Sequence, residues 1–161
     1  MTSLLHDSGW LTDHLVVPDD HAATYGTIAE ALVSIGFLAA RTQQLELGVS
    51  ALVVPQRRPL VALKQLTTLD FLSKGRIVTA VTAGWMEGEF ASLGARYQDR
   101  GAVLDDWLSL AMSVFEQMPG RVSYEGPSSR STGGWRPHSS DQVGPSSGSP
   151  ASHARRCDGP R

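Results

Sequence analysis

The sequence predicts an α/β fold built on parallel strands, and three features carry that prediction. Apolar runs at residues 9–12, 47–54 and 76–82 have strand length, and each is followed by a loop and then a helical segment. These βα units recur at intervals of about 30 to 35 residues without any internal sequence repeat. A strand, a helix and a second strand in that order form a βαβ unit, which crosses over into a parallel sheet. Succession of such units suits either a (β/α)8 barrel or a doubly wound sheet. No GxGxxG or GxxxxGK[ST] follows any strand, which weakens the nucleotide-binding doubly wound options.

The clearest unit is the stretch LGVSALVVPQRRPLVALKQLTTLDFLSKGRIVTAVTAGWMEGEF, residues 47–90. Residues 47–54 are β-branched and apolar and are closed by Pro55. Pro59 suits a first helical position, where its missing N–H would be unpaired in any case. The helix that follows carries Ala62, Leu66 and Leu69 on one face, and Gly75 is placed for a left-handed C-terminal turn. Residues 76–82 form the next strand, with Ala83 and Gly84 as a small-residue exit.

Before this unit, residues 9–12 read as a brief strand and Asp19 to Gly26 as a loop. Residues 27–41 read as a helix through Ile28, Leu32, Ile35 and Ala39, with Gly36 marking close packing on the sheet. After it, residues 86–93 form a short helix with Phe90 and Leu93 inward. Asp99 is placed to cap a longer helix whose stripe is Leu104, Leu108, Ala111, Phe115 and Met118, ended by Pro119-Gly120.

Composition sets outer limits. Apolar content of 41% and charged content of 19% match a soluble globular domain, and no run reaches the ~18 apolar residues of a membrane span. A single cysteine, Cys157, excludes an intrachain disulfide, and no signal segment is visible, so a cytoplasmic location is expected. The net charge of −2 argues against a nucleic-acid surface. That average conceals a break. Residues 1–126 hold 9 Lys/Arg against 14 Asp/Glu, whereas residues 127–161 hold 5 Arg against 2 Asp, with nine Ser, five Pro and five Gly. The second segment has too little apolar surface to offset chain entropy and is expected to be a disordered tail. The abrupt change after Gly126 suggests a shifted or truncated reading frame, with a functional linker as the alternative.

LGVSALVVPQRRPLVALKQLTTLD, SKGRIVTAVTAGWMEGEF and YQDRGAVLDDWL resemble the luciferase-like monooxygenase superfamily, and within it the oxidoreductases that use coenzyme F420. The resemblance covers about residues 9–126 in order. It implies a (β/α)8 barrel, of which about three βα units are represented; the stretch WLTDHLVVP would be the second barrel strand, so a first strand and helix would be absent. It also implies an oxidoreductase acting by hydride transfer with reduced F420 or FMN, or on paired donors with incorporation or reduction of molecular oxygen. A small-molecule substrate and a cytoplasmic enzyme follow, and a homo-oligomer is compatible with the exposed helices. The alternative is a non-catalytic truncated fragment that binds no cofactor.

Three signals fall at three strand C-termini, the face on which barrel enzymes place their sites: Asp13-His14, Ser50-Ala51 and Ala83-Gly84. An imidazole side chain can trade a proton with a reacting group, which makes His14 a candidate, though a loop hydrogen bond is the plainer role. The resemblance assigns His14 to catalysis facing the reactive carbon of the cofactor, and Asp13 to cofactor contact. It places a non-proline cis peptide at Ser50-Ala51, behind the cofactor ring. Ala83 and Gly84 are small where backbone would approach that cofactor. Trp85 stands where sugar-phosphate-using relatives carry an acidic residue, which implies an apolar or aromatic substrate; core filling is its alternative.

Other polar residues read as structural. Arg57, Arg58 and Lys64 suit a solvated helix start, and Arg76, Glu89, Arg100 and Asp106 suit ion pairs. His6, His14 and His21 with Asp7, Asp13, Asp19 and Asp20 match no compact metal-ligand spacing, so no metal is expected.

Overall fold

A computed structural model describes residues 8–118, 120–135 and 154–156. Strand β1 (Ser8–Leu11) is followed by a one-turn helix α1 (Ala22–Tyr25) and by α2 (Ala31–Arg41). Then come β2 (Glu46–Val53), a short 3-10 turn at Val54–Gln56, α3 (Pro59–Ser73) and β3 (Ile77–Thr82). Helices α4 (Glu87–Ser92) and α5 (Arg100–Gln117) lead to a hairpin of β4 (Gly120–Glu125) and β5 (Arg130–Trp135). A three-residue strand β6 (Ala154–Arg156) pairs with β3.

The main sheet has the order β1-β2-β3-β6, and every pairing in it is parallel. The three strands expected from sequence are therefore parallel neighbours, with Trp10 opposite Gly48 and Val49 opposite Thr79. This is the arrangement of part of a (β/α)8 barrel. Strand β2 lies between β1 and β3, and Leu47, Val49, Leu52 and Val53 along it are buried. Leu47, Val49 and Leu52 join Leu32 and Ile35 of α2, Leu63 and Leu69 of α3, and Leu104, Leu110 and Val114 of α5 in one apolar core. Each such aliphatic side chain contributes about 1.5–3 kcal/mol through burial.

Helix boundaries follow local chemistry. Helix α3 begins at Pro59 as predicted, and it ends on Lys74 and Gly75, both left-handed at φ 62° and 81°. Helix α2 begins at Ala31, not at residue 27, because the Glu30 carboxylate accepts the Val33 N–H at 2.7 Å and caps it there. The preceding stretch forms the separate turn α1 where a loop was expected. Gly36 packs against Leu69 of α3, so its closeness serves helix–helix packing, not the sheet. The buried stripe of α5 is wider than the predicted one: Trp107, Leu110 and Val114 join Leu104 and Ala111, while Leu108 and Phe115 are half-buried. Trp107 Nε1 also donates to Pro59 O at 3.2 Å, tying α5 to the start of α3.

Three of the expected ion pairs are different interactions. Arg76 donates to the carbonyls of Ser73, Leu45, Ala39 and Thr42 and to the Thr42 hydroxyl, sealing the end of α2 against the strand entries. Arg100 donates to Gly84 O and Tyr97 O and lies 3.8 Å over the Tyr97 ring. Asp106 accepts from the Tyr124 hydroxyl at 2.8 Å and from Ser128 N at 3.2 Å, clamping the hairpin onto α5. Burial and the adjacent Asp106 carboxylate raise the Tyr124 pKa above its usual 10.0.

The hairpin corrects one expectation. Residues 130–135 lie within the segment read as a tail without regular structure, yet they pair antiparallel with β4 from Arg130↔Glu125 to Trp135↔Gly120. Backbone pairing needs no apolar side chains, so a Ser/Gly/Arg composition did not announce it. Residues 154–156 are likewise paired, whereas 136–153 and 157–161 lie outside the described residues. Among the described residues no helix is long and apolar enough to cross a membrane.

Candidate active site

Two buried carboxylates organise the C-terminal ends of the strands. Asp13 follows β1 and is 2% exposed. Its Oδ2 accepts Val53 N–H at 2.9 Å, and its Oδ1 accepts Arg57 Nη2 at 2.6 Å. Arg57 Nη2 also lies 2.8 Å from Glu30 Oε1, an electrostatic contact outside hydrogen-bond geometry. The loop after β1, the end of β2 and the N-terminus of α2 are thereby held together. Arg57 is thus no solvated helix-start residue: its guanidinium is largely buried against the Asp13 carboxylate. Arg58 and Lys64 are exposed, as expected.

The second carboxylate is Glu89 of α4, 1% exposed. Its Oε2 lies 3.0 Å from His14 Nδ1, and its Oε1 accepts the N–H groups of Leu15 at 2.6 Å and Val16 at 3.2 Å. Burial alone would raise this carboxyl. The bonds from His14 and from the Val16 and Leu15 amides, helped by the nearby Gln56 amide, outweigh burial and hold its pKa below the usual 4.5. Gln56 acts by proximity, since neither of its amide atoms meets hydrogen-bond geometry. Glu89, read from sequence as an ion-pair residue, thus pairs with His14 and with two backbone amides; the identity of that partner carried no sequence signal.

His14 is 8% exposed and sits among aromatic rings. Tyr25 of α1 lies 4.9 Å from it by ring centroid, and Trp85, after β3, lies 6.3 Å away edge-on. His21 and Tyr25 each approach Trp85 as well, at 5.2 and 6.0 Å. Trp85 is 52% exposed, so it does not fill the core. Tyr25 and His21 were not anticipated at this site, because α1 was read as loop.

The peptide bond Ser50–Ala51 is cis, as the resemblance implied, and the β2–β3 register shifts between Val49 and Leu52 around it. Ser50 is exposed and Ala51 half-buried. Ala83 is half-buried against the core. Gly84 has φ +82°, and a Cβ there would sit 2.6 Å from Val53 Cγ1 and 3.0 Å from Phe90. Its lack of a side chain is thus explained by packing on β2 and α4. Asp13, His14, Ala83, Gly84 and Trp85 follow parallel strands of one sheet, and Ser50 and Ala51 lie within β2, next to its C-terminal residues. Ser50, Ala51 and Ala83 carry short side chains, so nothing bulky stands on the backbone there against a flat flavin-type ring. Among the described residues no group of three His, Cys, Asp or Glu side chains is arranged to hold a metal.

Known proteins are similar to this chain in sequence and fold. The alkanal monooxygenase alpha chain of Photorhabdus luminescens is 27% identical over 104 residues, which is 65% of this chain and 27% of that protein. The chain thus spans about a quarter of the length of such curated relatives. Among solved structures, the oxygenating constituent of 3,6-diketocamphane monooxygenase from Pseudomonas putida, in complex with FMN, superposes with a TM-score of 0.66 at 16% identity. It covers 80% of this chain and 34% of that one. An F420-dependent secondary alcohol dehydrogenase in complex with an F420-acetone adduct also gives 0.66, at 20% identity, over 82% of this chain and 39% of that one. The family model for luciferase-like monooxygenases matches residues 12–157, and the chain belongs to that family.

Proposed function

We propose that this chain carries the cofactor-ring half of an oxidoreductase site that uses reduced coenzyme F420, with FMN as the alternative. The observation that carries the reading is that His14, after β1, lies 6.3 Å from Trp85, after β3, on the same side of three adjacent parallel strands, with the β2 irregularity between Val49 and Leu52 lying between those two strands. When bound, a reduced deazaflavin supplies a hydride, and a reduced flavin supplies a hydride or activates oxygen.

The roles follow from position. Ser50, Ala51, Ala83 and Gly84 present backbone toward the ring. Asp13, its carboxylate occupied by Val53 and Arg57, fixes the strand ends on which the ring rests. His14 is the catalytic residue, accepting or returning a proton at Nε2 while Nδ1 faces Glu89. Trp85, half-exposed beside Tyr25 and His21, bounds a substrate region suited to small apolar or aromatic molecules.

Titration of the chain with F420 and with FMN, followed by ring fluorescence, tests the reading. Saturable binding weaker than low-micromolar is expected, because phosphate sites in barrels commonly sit at loops after later strands. Ser50→Trp should abolish it. Absence of saturable binding of either ring favours the fragment that binds no cofactor. In a full-length barrel carrying this segment, His14→Ala should cut turnover by about 10²–10⁴-fold, and unchanged turnover would return His14 to a loop-structural role.

A further inference from the structure

We infer that Glu89 is a positioning residue that holds His14 as its Nδ1–H tautomer and leaves Nε2 as the nitrogen with the free lone pair. The inference rests on the proposed role of His14 for its functional meaning, but its geometry stands independently. A carboxylate at pH 7 only accepts hydrogen bonds, so at 3.0 Å from Glu89 Oε2 the neutral imidazole must place its proton on Nδ1. Among the described residues Nε2 has no hydrogen-bond partner, so no protein acceptor competes to draw the proton there.

The same carboxylate also fixes where the ring sits. Glu89 Oε1 takes the N–H groups of Leu15 and Val16, the two residues that follow His14. One side chain thereby anchors both the backbone that carries the imidazole and the imidazole itself. Glu89 is 1% exposed on a helix whose Phe90 is fully buried, so the anchor cannot drift with solvent. The other titratable group facing His14 is Tyr25 of α1, which touches it through ring contact, not through a hydrogen bond; His21 reaches Tyr25 and Trp85. Asp13, next in sequence, is engaged by Val53 and Arg57 and turned away from this exchange. Among the described residues Glu89 is thus the one group bonded to the ring, and it sets the tautomer.

The consequence is directional. A neutral His14 in this tautomer accepts a proton at Nε2, and the resulting imidazolium keeps its Nδ1–H bond to a carboxylate that is already ionised. The proton comes from the reacting group and resides on Nε2 until it is returned; no electron changes hands at the protein. The opposite tautomer would present an N–H donor to the substrate region instead.

Nitrogen-detected NMR of the 161-residue chain, with histidine labelled on both ring nitrogens, tests this at a pH where His14 is neutral. A pyrrole-type Nδ1 and a pyridine-type Nε2 are expected, with the Nδ1–H form favoured by about tenfold or more, as a hydrogen bond to a charged group supplies. Glu89→Gln should lose that preference, because its amide can donate to Nδ1, and Glu89→Asp should restore part of it. Predominance of Nε2–H in the unmodified chain overturns the inference, as does an unaltered tautomer ratio in folded Glu89→Gln. If Glu89→Gln fails to fold, the unmodified chain alone decides. None of these readouts requires a bound cofactor or turnover, so failure of the cofactor titration and failure of this inference are separate results.

Discussion

Replacing Asp13 by alanine removes the group on which the strand ends converge, and the structure sets the size of the effect. The Asp13 side chain is fully buried, and it satisfies one backbone N–H, at Val53, and one guanidinium, at Arg57. Removing one partner of a buried ion pair costs about 3–5 kcal/mol, and a buried N–H left without an acceptor adds about 1–3 kcal/mol. Glu30 still faces Arg57 at 2.8 Å and offsets part of the loss, so about 3 kcal/mol is expected for Asp13→Ala. Asp13→Asn keeps an acceptor for Val53 N–H and loses only the charge, so it should cost about 1–2 kcal/mol. Urea unfolding followed by tryptophan fluorescence reads both. With a slope of about 2 kcal/mol per molar, Asp13→Ala moves the midpoint down by about 1.5 M. A shift below about 0.3 M would refute the claim that this pair holds the loop after β1 to the end of β2. The double variant with Arg57→Ala separates pairing from packing, because contacting partners couple by about 0.5–3 kcal/mol.

Other consequences are measurable on the same chain. Glu89 has a folded-state pKa below its usual 4.5, so its contribution to stability is complete above about pH 4.5 and is lost as pH falls through the folded value. Acid unfolding of Glu89→Gln should lack this component, and an acid limb identical to that of the unmodified chain would count against it. Gly84→Ala should cost about 2–3 kcal/mol, combining a left-handed φ with a Cβ 2.6 Å from Val53, whereas Gly94→Ala, at φ +67° in open space, should cost about 1 kcal/mol. Equal costs in thermal unfolding would remove the packing explanation for Gly84. Asp106→Ala should release the hairpin from α5 by removing the acceptor for Tyr124 and Ser128, seen as faster amide exchange in β4. Unchanged exchange there would show that the strands dock without it.

Sequence periodicity carried the sheet, and it did so because parallel strands buried on both faces are continuous apolar runs that turn residues delimit sharply. Pro59 and Gly75 bounded α3 for reasons that act within a few residues. The cis bond at Ser50-Ala51 was legible only from a family resemblance, since such geometry leaves no periodic trace, and the same resemblance singled out Asp13-His14 and Trp85 as candidates. What stayed hidden depended on contacts far apart in the chain. Glu89 meets His14 across 75 residues, and Arg57 meets Asp13 across 44. A charged residue at a helix start reads as solvated unless its partner is known. Arg76 reads as half of an ion pair, yet it serves four carbonyls that only the assembled loops bring together. Tyr25 was missed because a one-turn helix offers too few residues for a periodic signal.

The two buried carboxylates divide the work at the strand ends. Asp13 fixes where the loop after β1 stands relative to β2 and α2, and Glu89 fixes where that same loop stands relative to α4. Because Asp13 and His14 are adjacent, one residue step separates an anchor from the group it presents. Displacing either anchor moves the imidazole, but in different ways. Loss of Asp13 lets the loop slide along the strand ends with Glu89 still bonded to the ring. Loss of Glu89 frees both the ring and the Leu15–Val16 backbone from α4 while Asp13 still ties the loop to β2. The two carboxylates therefore hold the His14 segment against different elements. A low-stability loop at a site can keep a defined side-chain geometry when buried charges, instead of local backbone structure, hold it.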